Sequence, residues 1–180
     1  MRDEKSRVVV KLHHIPGLSS MLRWLWLSTS VIIFDQATKQ IAQTALTPYE
    51  PVPISPSFNL ALMYNTGAAF SILAGAGGWQ RWFFVALSAA VSCFLVAWMR
   101  RLHRNEALLA AALALILGGA IGNLIDRIVF GHVIDFIQVY YASWYWPAFN
   151  VADSAITVGA MLLVVSTFVS PRTGRSKNPV

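Results

Sequence analysis

A chain of 180 residues that is 56% hydrophobic and 12% charged is too apolar for an ordinary soluble domain, which carries about twice that charged fraction. Its net charge of +6 would suit a nucleic-acid binder, but the basic residues sit where they set membrane orientation instead. A lone cysteine, Cys93, excludes an intrachain disulfide, and neither an HExxH motif nor a Cys/His cluster with zinc spacing is present.

Residues 1 to about 20 are polar and basic, with Arg2, Lys5, Arg7 and Lys11, and Pro16–Gly17 breaks any helix before the first apolar segment. This reads as a cytoplasmic tail in which His13 and His14 are solvated. The segment that follows is too long for the apolar core of a cleaved signal peptide and contains Asp35 and Lys39, so it is expected to be retained. The first span is expected over about 22–42, with Trp24 and Trp26 at headgroup level. Asp35 lies twelve residues beyond Arg23, about 18 Å along a helix, past the midplane toward the far side. Lys39 is at i+4 and can pair with it. The pair reads equally as a self-neutralised helix end with Lys39 snorkelling to the interface and as part of a functional site.

Residues 43–78 contain no Lys or Arg, and Pro48, Pro51, Pro53 and Pro56 exclude a continuous helix in the first half. Phe58 to Leu73 is apolar and β-prone, with Asn-Thr-Gly as a turn signal, which predicts a short sheet on the membrane surface. Three further spans are expected over about 79–99, 107–125 and 151–169, with 126–150 a connection and 170–180 a second cytoplasmic tail. Of the fourteen Lys and Arg residues, eleven fall in the two tails, at Arg23 or in the 100–104 loop; Lys39, Arg81 and Arg127 do not. The positive-inside rule then places both termini in the cytoplasm, which requires an even number of spans. The expected fold is an all-α integral membrane protein, a four-transmembrane-helix bundle forming one membrane domain over 1–180.

That topology gathers Asp35, Asp126, Asp135 and Asp153, half of the eight acids, at the outer face, where burial of carboxylates is costly. In the third span, Gly118 and Gly122 allow close helix contact, and Gly119, Asn123 and Arg127 share a stripe. For Asp126 the plainer reading is a charge at the membrane boundary satisfied by Arg127. Asn150 and Asp153 fit N-cap and N3 of the fourth helix, which would account for them without chemistry. Capping does not account for Asp135, which sits in VIDF among apolar neighbours with no obvious cation. Two adjacent carboxylates cannot both ionise, so one keeps a proton, and the pair can activate water against a peptide carbonyl. Asp135 and Asp153 are therefore the expected dyad. Thr38 and Lys39 are sequence neighbours on different helix faces, which weakens a Thr–Lys alternative.

Five blocks in order, DQATK (Asp35 to Lys39), NTGAAF (Asn65 to Phe70), GGAIGNLIDR (Gly118 to Arg127), HVIDF (His132 to Phe136) and FNVAD (Phe149 to Asp153), resemble the bacterial lipoprotein signal peptidase family, signal peptidase II. The resemblance implies an aspartic endopeptidase of the bacterial inner membrane, active at the periplasmic or outer face. Such an enzyme cuts the signal peptide from prolipoproteins on the amino side of a diacylglyceryl-modified cysteine. It puts the catalytic pair on Asp135 and Asp153. It puts substrate or inhibitor binding and site support on Asn65, Asn123, Asp126, Arg127 and Asn150, and a structural pair on Asp35 and Lys39. It also implies a small extracytoplasmic sheet with a short amphipathic helix within 45–78, and inhibition by the cyclic peptide globomycin. No metal or organic cofactor is expected. The expected partners are prolipoproteins and membrane lipid, not nucleic acid, and the chain is expected to act as a monomer. Two rivals remain: a small proton-coupled transporter, which would carry polar residues through to the inner side, and a lipid-binding factor, which would tolerate Asp135→Asn.

Overall fold

The computed structural model describes residues 18–67 and 77–169, with side chains from Arg23 onward. The basic tails, His13, His14 and Ala68 to Phe70 of the NTGAAF block lie outside the described residues. Four long helices form where the apolar segments predict them: α1 (Leu18–Ala45), α2 (Trp79–Met99), α3 (Ala107–Val129) and α4 (Val151–Val169).

The bundle is built around α3, which packs against each of the other three helices. Half of its apolar stretch is buried, against about a fifth for α2 and α4, because its small residues let backbones approach. A Cβ at Gly118 would lie 2.8 Å from the Ser28 carbonyl of α1, and one at Gly119 would collide with the Ala152 carbonyl of α4. At one end Leu95, Met99, Leu113, Ala114 and Leu117 form a cluster covered by Trp24, Leu25 and Leu27. In lipid such contacts stabilise by dispersion and close packing, since the tails outside are as apolar as the core.

The four-span expectation is met only in part. Of the described helices, α2, α3 and α4 are long and apolar enough to cross a membrane. α1, at 28 residues, is about 42 Å long and exceeds a hydrocarbon core of about 30 Å. Its hydropathy is diluted by Ser28, Asp35, Gln36 and Lys39, which turn toward α3, and by Thr38, Gln40 and Thr44 near its end.

The small sheet expected beside the bundle is present, and it is larger than residues 43–78 alone would make it. Strands β1 (Val52–Ser55), β2 (Phe58–Asn65), β3 (Val133–Tyr141) and β4 (Trp144–Tyr145) form a four-stranded sheet in that order, every neighbouring pair antiparallel. Half of it comes from 126–150, read above as a plain connection. The run Val-Ile-Asp-Phe-Ile-Gln-Val-Tyr-Tyr is rich in β-branched and aromatic residues, which is the signal that identifies it. No short amphipathic helix occurs among the described residues of 45–78, which form β1 and β2 instead; 68–76 are outside the description. β3 starts four residues after α3 ends, across Gly131 at φ +83°, a conformation that disfavours a side chain. Phe136 N and Ile137 N both donate to the Phe149 carbonyl, and Phe149 N donates to Ile137 O. These bonds tie the residue before Asn150 to β3, so the start of α4 is fixed beside Asp135.

Candidate active site

Asp135 sits on β3 opposite Met63 of β2, 2% exposed, between buried Ile134 and Phe136. Asp153 occupies the first turn of α4. The capping arrangement expected there is present: Asp153 N donates to Asn150 Oδ1 (2.9 Å), and Asn150 N donates to Asp153 Oδ2 (3.3 Å). Capping leaves Asp153 Oδ1 free for another partner, and Asn123 Nδ2 of α3 donates to it at 2.7 Å. The fully buried Asn150 uses its other end on the second acid, with Nδ2 donating to Asp135 Oδ1 at 2.7 Å. Asn65, at the end of β2, donates from Nδ2 to Asp135 Oδ2 (3.2 Å) and accepts from Gly67 N (3.0 Å), an Asx turn at the predicted Asn-Thr-Gly.

Behind the two acids lies a buried ion triad. Lys39 Nζ lies 2.8 Å from both Asp35 Oδ2 and Asp126 Oδ2, and all three side chains are fully buried. Lys39 also donates to Asn123 Oδ1 at 3.0 Å, which orients that amide so that its NH2 faces Asp153. Asp35 Oδ1 accepts from Ala152 N, and Asp126 Oδ2 accepts from Ile134 N. One charge cluster thus ties α1 to α3, β3 and the start of α4. Two expectations change here. Lys39 does not snorkel, and the partner of Asp126 is Lys39, not Arg127. Arg127 instead donates to Gly67 O (3.1 Å) and Asn123 O (3.2 Å) and lies over the Phe84 ring at 5.1 Å. The sequence reading also missed Gln36, whose Nε2 donates to Asp126 Oδ1 at 2.9 Å. Its position three residues before Lys39 puts it on the same face and is the signal that could have found it.

Asp135 and Asp153 open onto a shared cavity of about 840 Å³, with Asn65, Asn123 and Arg127 in its walls. Trp146, Phe149 and Ile156 make part of its apolar side. Burial, and next the charge of Asp153, push the Asp135 carboxyl up to about 7 against the lowering effects of Asn65, Lys39 and Asn150. A carboxyl with this pKa can hold or release a proton around neutral pH, unlike an ordinary aspartate. Among the described residues no group of three or more His, Cys, Asp or Glu side chains is arranged to hold a metal ion.

Fold and site together define a membrane protein with a carboxylate pair held between a helical bundle and a small sheet. The family model described as Signal peptidase (SPase) II matches residues 27–169. The lipoprotein signal peptidase of Pseudomonas putida is 55% identical over 166 residues, covering 91% of this chain and 95% of that protein. The lipoprotein signal peptidase of Pseudomonas aeruginosa (strain UCBPP-PA14) is 51% identical over 157 residues, covering 86% and 93%. A bacterial membrane enzyme solved by the in meso method at 2.3 Å resolution superposes with a TM-score of 0.74 at 29% identity, covering 90% of this chain and 94% of the other. The chain belongs to the signal peptidase II family, a family of peptidases.

Proposed function

We propose that this protein is a membrane aspartic endopeptidase that removes the signal peptide from diacylglyceryl-modified prolipoproteins, cutting on the amino side of the modified cysteine. The observation that carries the reading is the pairing of Asp135 and Asp153 across one cavity, each held by an asparagine, with burial pushing Asp135 up to about 7. The ionised carboxylate takes a proton from a water molecule, and that water's oxygen bonds to the scissile carbonyl carbon. The protonated carboxyl gives its proton to the carbonyl oxygen. The tetrahedral intermediate then collapses, the C–N bond breaks, and the nitrogen leaves with a proton from the dyad. Asn123 and Asn150 keep the two carboxyls apart in role and fixed in orientation, which reduces the entropy lost at the barrier.

Four spanning helices with both termini in the cytoplasm, in a bacterial inner membrane, put the dyad at the periplasmic or outer face, where a substrate anchored by its own apolar segment and lipid presents its cleavage site. The apolar wall near Trp146, Phe149 and Ile156 suits a lipid-bearing ligand. The protein is taken to act as a monomer and to be blocked by globomycin. The transporter reading finds less support, because Asp35, Asp126, Asp135 and Asp153 converge on one end of the bundle.

The test is incubation of purified protein with a prolipoprotein in two forms, diacylglyceryl-modified and unmodified, with products sized by mass spectrometry. Cleavage of the modified form alone, at the bond before the modified cysteine and blocked by globomycin, is expected. Cleavage at another bond, or equal cleavage of the unmodified form, contradicts the substrate assignment.

A further inference from the structure

Most polar side chains lining the cavity already have protein partners that account for them. Ser154 and Thr157 bond to carbonyls of their own helix region, and Asn65 and Asn123 hold the aspartates. Gln138 differs. It lies on β3 three residues beyond Asp135, is 9% exposed, and lines the same cavity. Its cross-strand neighbour on β2 is buried Asn59, whose Nδ2 donates to Gln138 Oε1 at 3.2 Å. That bond occupies the amide oxygen and so fixes which end of the amide turns away from Asn59. Among the described residues nothing accepts from Gln138 Nε2. Unlike the partnerless Ser92 Oγ and His132 Nε2, this nitrogen is not sealed inside the protein. Two amides in a largely buried sheet face are costly to keep unless their hydrogen bonds are completed. One of them is left with two N–H groups and only the cavity to offer them to.

We propose that Gln138 is a substrate-positioning residue whose Nε2 donates to a main-chain carbonyl of the extended peptide being cleaved, with Asn59 holding the amide in the donating orientation. This rests on the peptidase reading above. Three strand residues span about 10 Å, so the contacted carbonyl lies about three residues from the scissile bond. The contact reads backbone and not side chain, so it adds affinity and register to every substrate without selecting among sequences.

The experiment uses the full chain in detergent and a synthetic diacylglyceryl lipopeptide spanning the cleavage site. A companion series replaces one backbone amide at a time by an ester, which weakens the adjoining carbonyl as an acceptor. Loss of one neutral hydrogen bond predicts that Gln138→Leu raises KM about three- to tenfold, with kcat within about twofold and the pH profile of kcat unmoved. Asn59→Ala, which keeps the donor but frees it, is expected to raise KM by less. In wild type, one ester in the series raises KM while the others do not, and in Gln138→Leu that same ester has no further effect. An unchanged KM in a folded Gln138→Leu overturns the proposal, as does an ester series that is flat in wild type. The wild-type ester series needs no substitution, so it decides the matter even if Gln138→Leu fails to fold. If wild type leaves the all-amide lipopeptide intact, the peptidase reading fails instead; if Asp135→Asn cleaves it normally, the two-aspartate part of that reading fails.

Discussion

At the residue scale, the feature on which the proposed chemistry turns is a proton kept on Asp135. Its pKa near 7, set first by burial and next by the Asp153 charge, makes activity depend on pH in a definite direction. In the proposed mechanism the proton serves the scissile carbonyl, so kcat is expected to fall as pH rises through about 7, measured as initial cleavage rates at saturating substrate. A kcat that climbs through that range contradicts the assignment of the acid. The same displacement from 3.8 bears on stability: the folded state holds this proton where the unfolded chain has lost it. The contribution is therefore fully present below about 4 and lost as pH rises toward 7. Lys39 carries a second prediction. Replacing it by Met leaves the buried Asp35 and Asp126 carboxylates uncompensated, at about 3–5 kcal/mol. Thermal melting in detergent is expected to drop sharply for Lys39→Met and to stay near wild type for the exposed Arg101→Ala. The candidate dyad was legible because Asp135 had no local excuse, while Asp153 was half hidden by a capping role that it also performs. The Lys39–Asp126 pair was not legible. The partners are 87 residues apart, and each had a nearer charged neighbour, Asp35 and Arg127, to explain it away.

Between elements, α3 and α4 set the distance between Asn123 and Asp153. The closeness of the two helices depends on Gly119 and on Gly159, where a Cβ would lie 2.8 Å from the Ala112 carbonyl. Gly159→Leu is expected to spread α3 from α4, to cost about 1–3 kcal/mol through overpacking, and to lower cleavage even though Gly159 is more than one turn from Asp153 along α4. Comparing melting temperature and kcat for this variant with those of Leu substituted at exposed Val164, away from the cavity, checks it; equal behaviour of the two would mean that close packing does not position the acid. The helices could be read from apolar length, and Gly118–Gly122 gave the tight face. β2 could be read from its composition and its Asn-Thr-Gly end. β3 was missed because it sits between two strong helical signals, and its strand character is completed only by pairing with β2, about seventy residues earlier. Long-range pairing leaves no local mark beyond β-prone composition, and this is the reason Gln138 and Asn59 were not connected either.

For the whole molecule, the basic residues make the sharpest statement. Arg100, Arg101 and Arg104 lie between α2 and α3, and a cytoplasmic position for that loop puts the sheet and the dyad on the opposite side. A periplasm-dependent reporter enzyme fused after Ala142, in the β3–β4 turn, is expected to be active, and one fused after Arg104 inactive. The reverse pattern would remove the outer-face site. Three helices are long and apolar enough to be membrane spans, while α1, expected as a fourth from its apolar run, is diluted by the polar residues that build the buried ion triad. The family was legible from five short blocks because side chains from β2, α3, β3 and α4 meet at one cavity, with the ion triad that α1 shares with α3 packed behind them. The most direct test of that convergence is cleavage of a diacylglyceryl-modified prolipoprotein by wild type, Asp135→Asn and Asp153→Asn, each first shown to be folded by its melting curve. The account predicts that wild type cleaves and that both variants lose at least about a thousandfold, because proton transfer alone is worth about 10²–10⁴-fold and the attacking water loses its activation as well. Near-wild-type cleavage by either folded variant would contradict a two-aspartate mechanism.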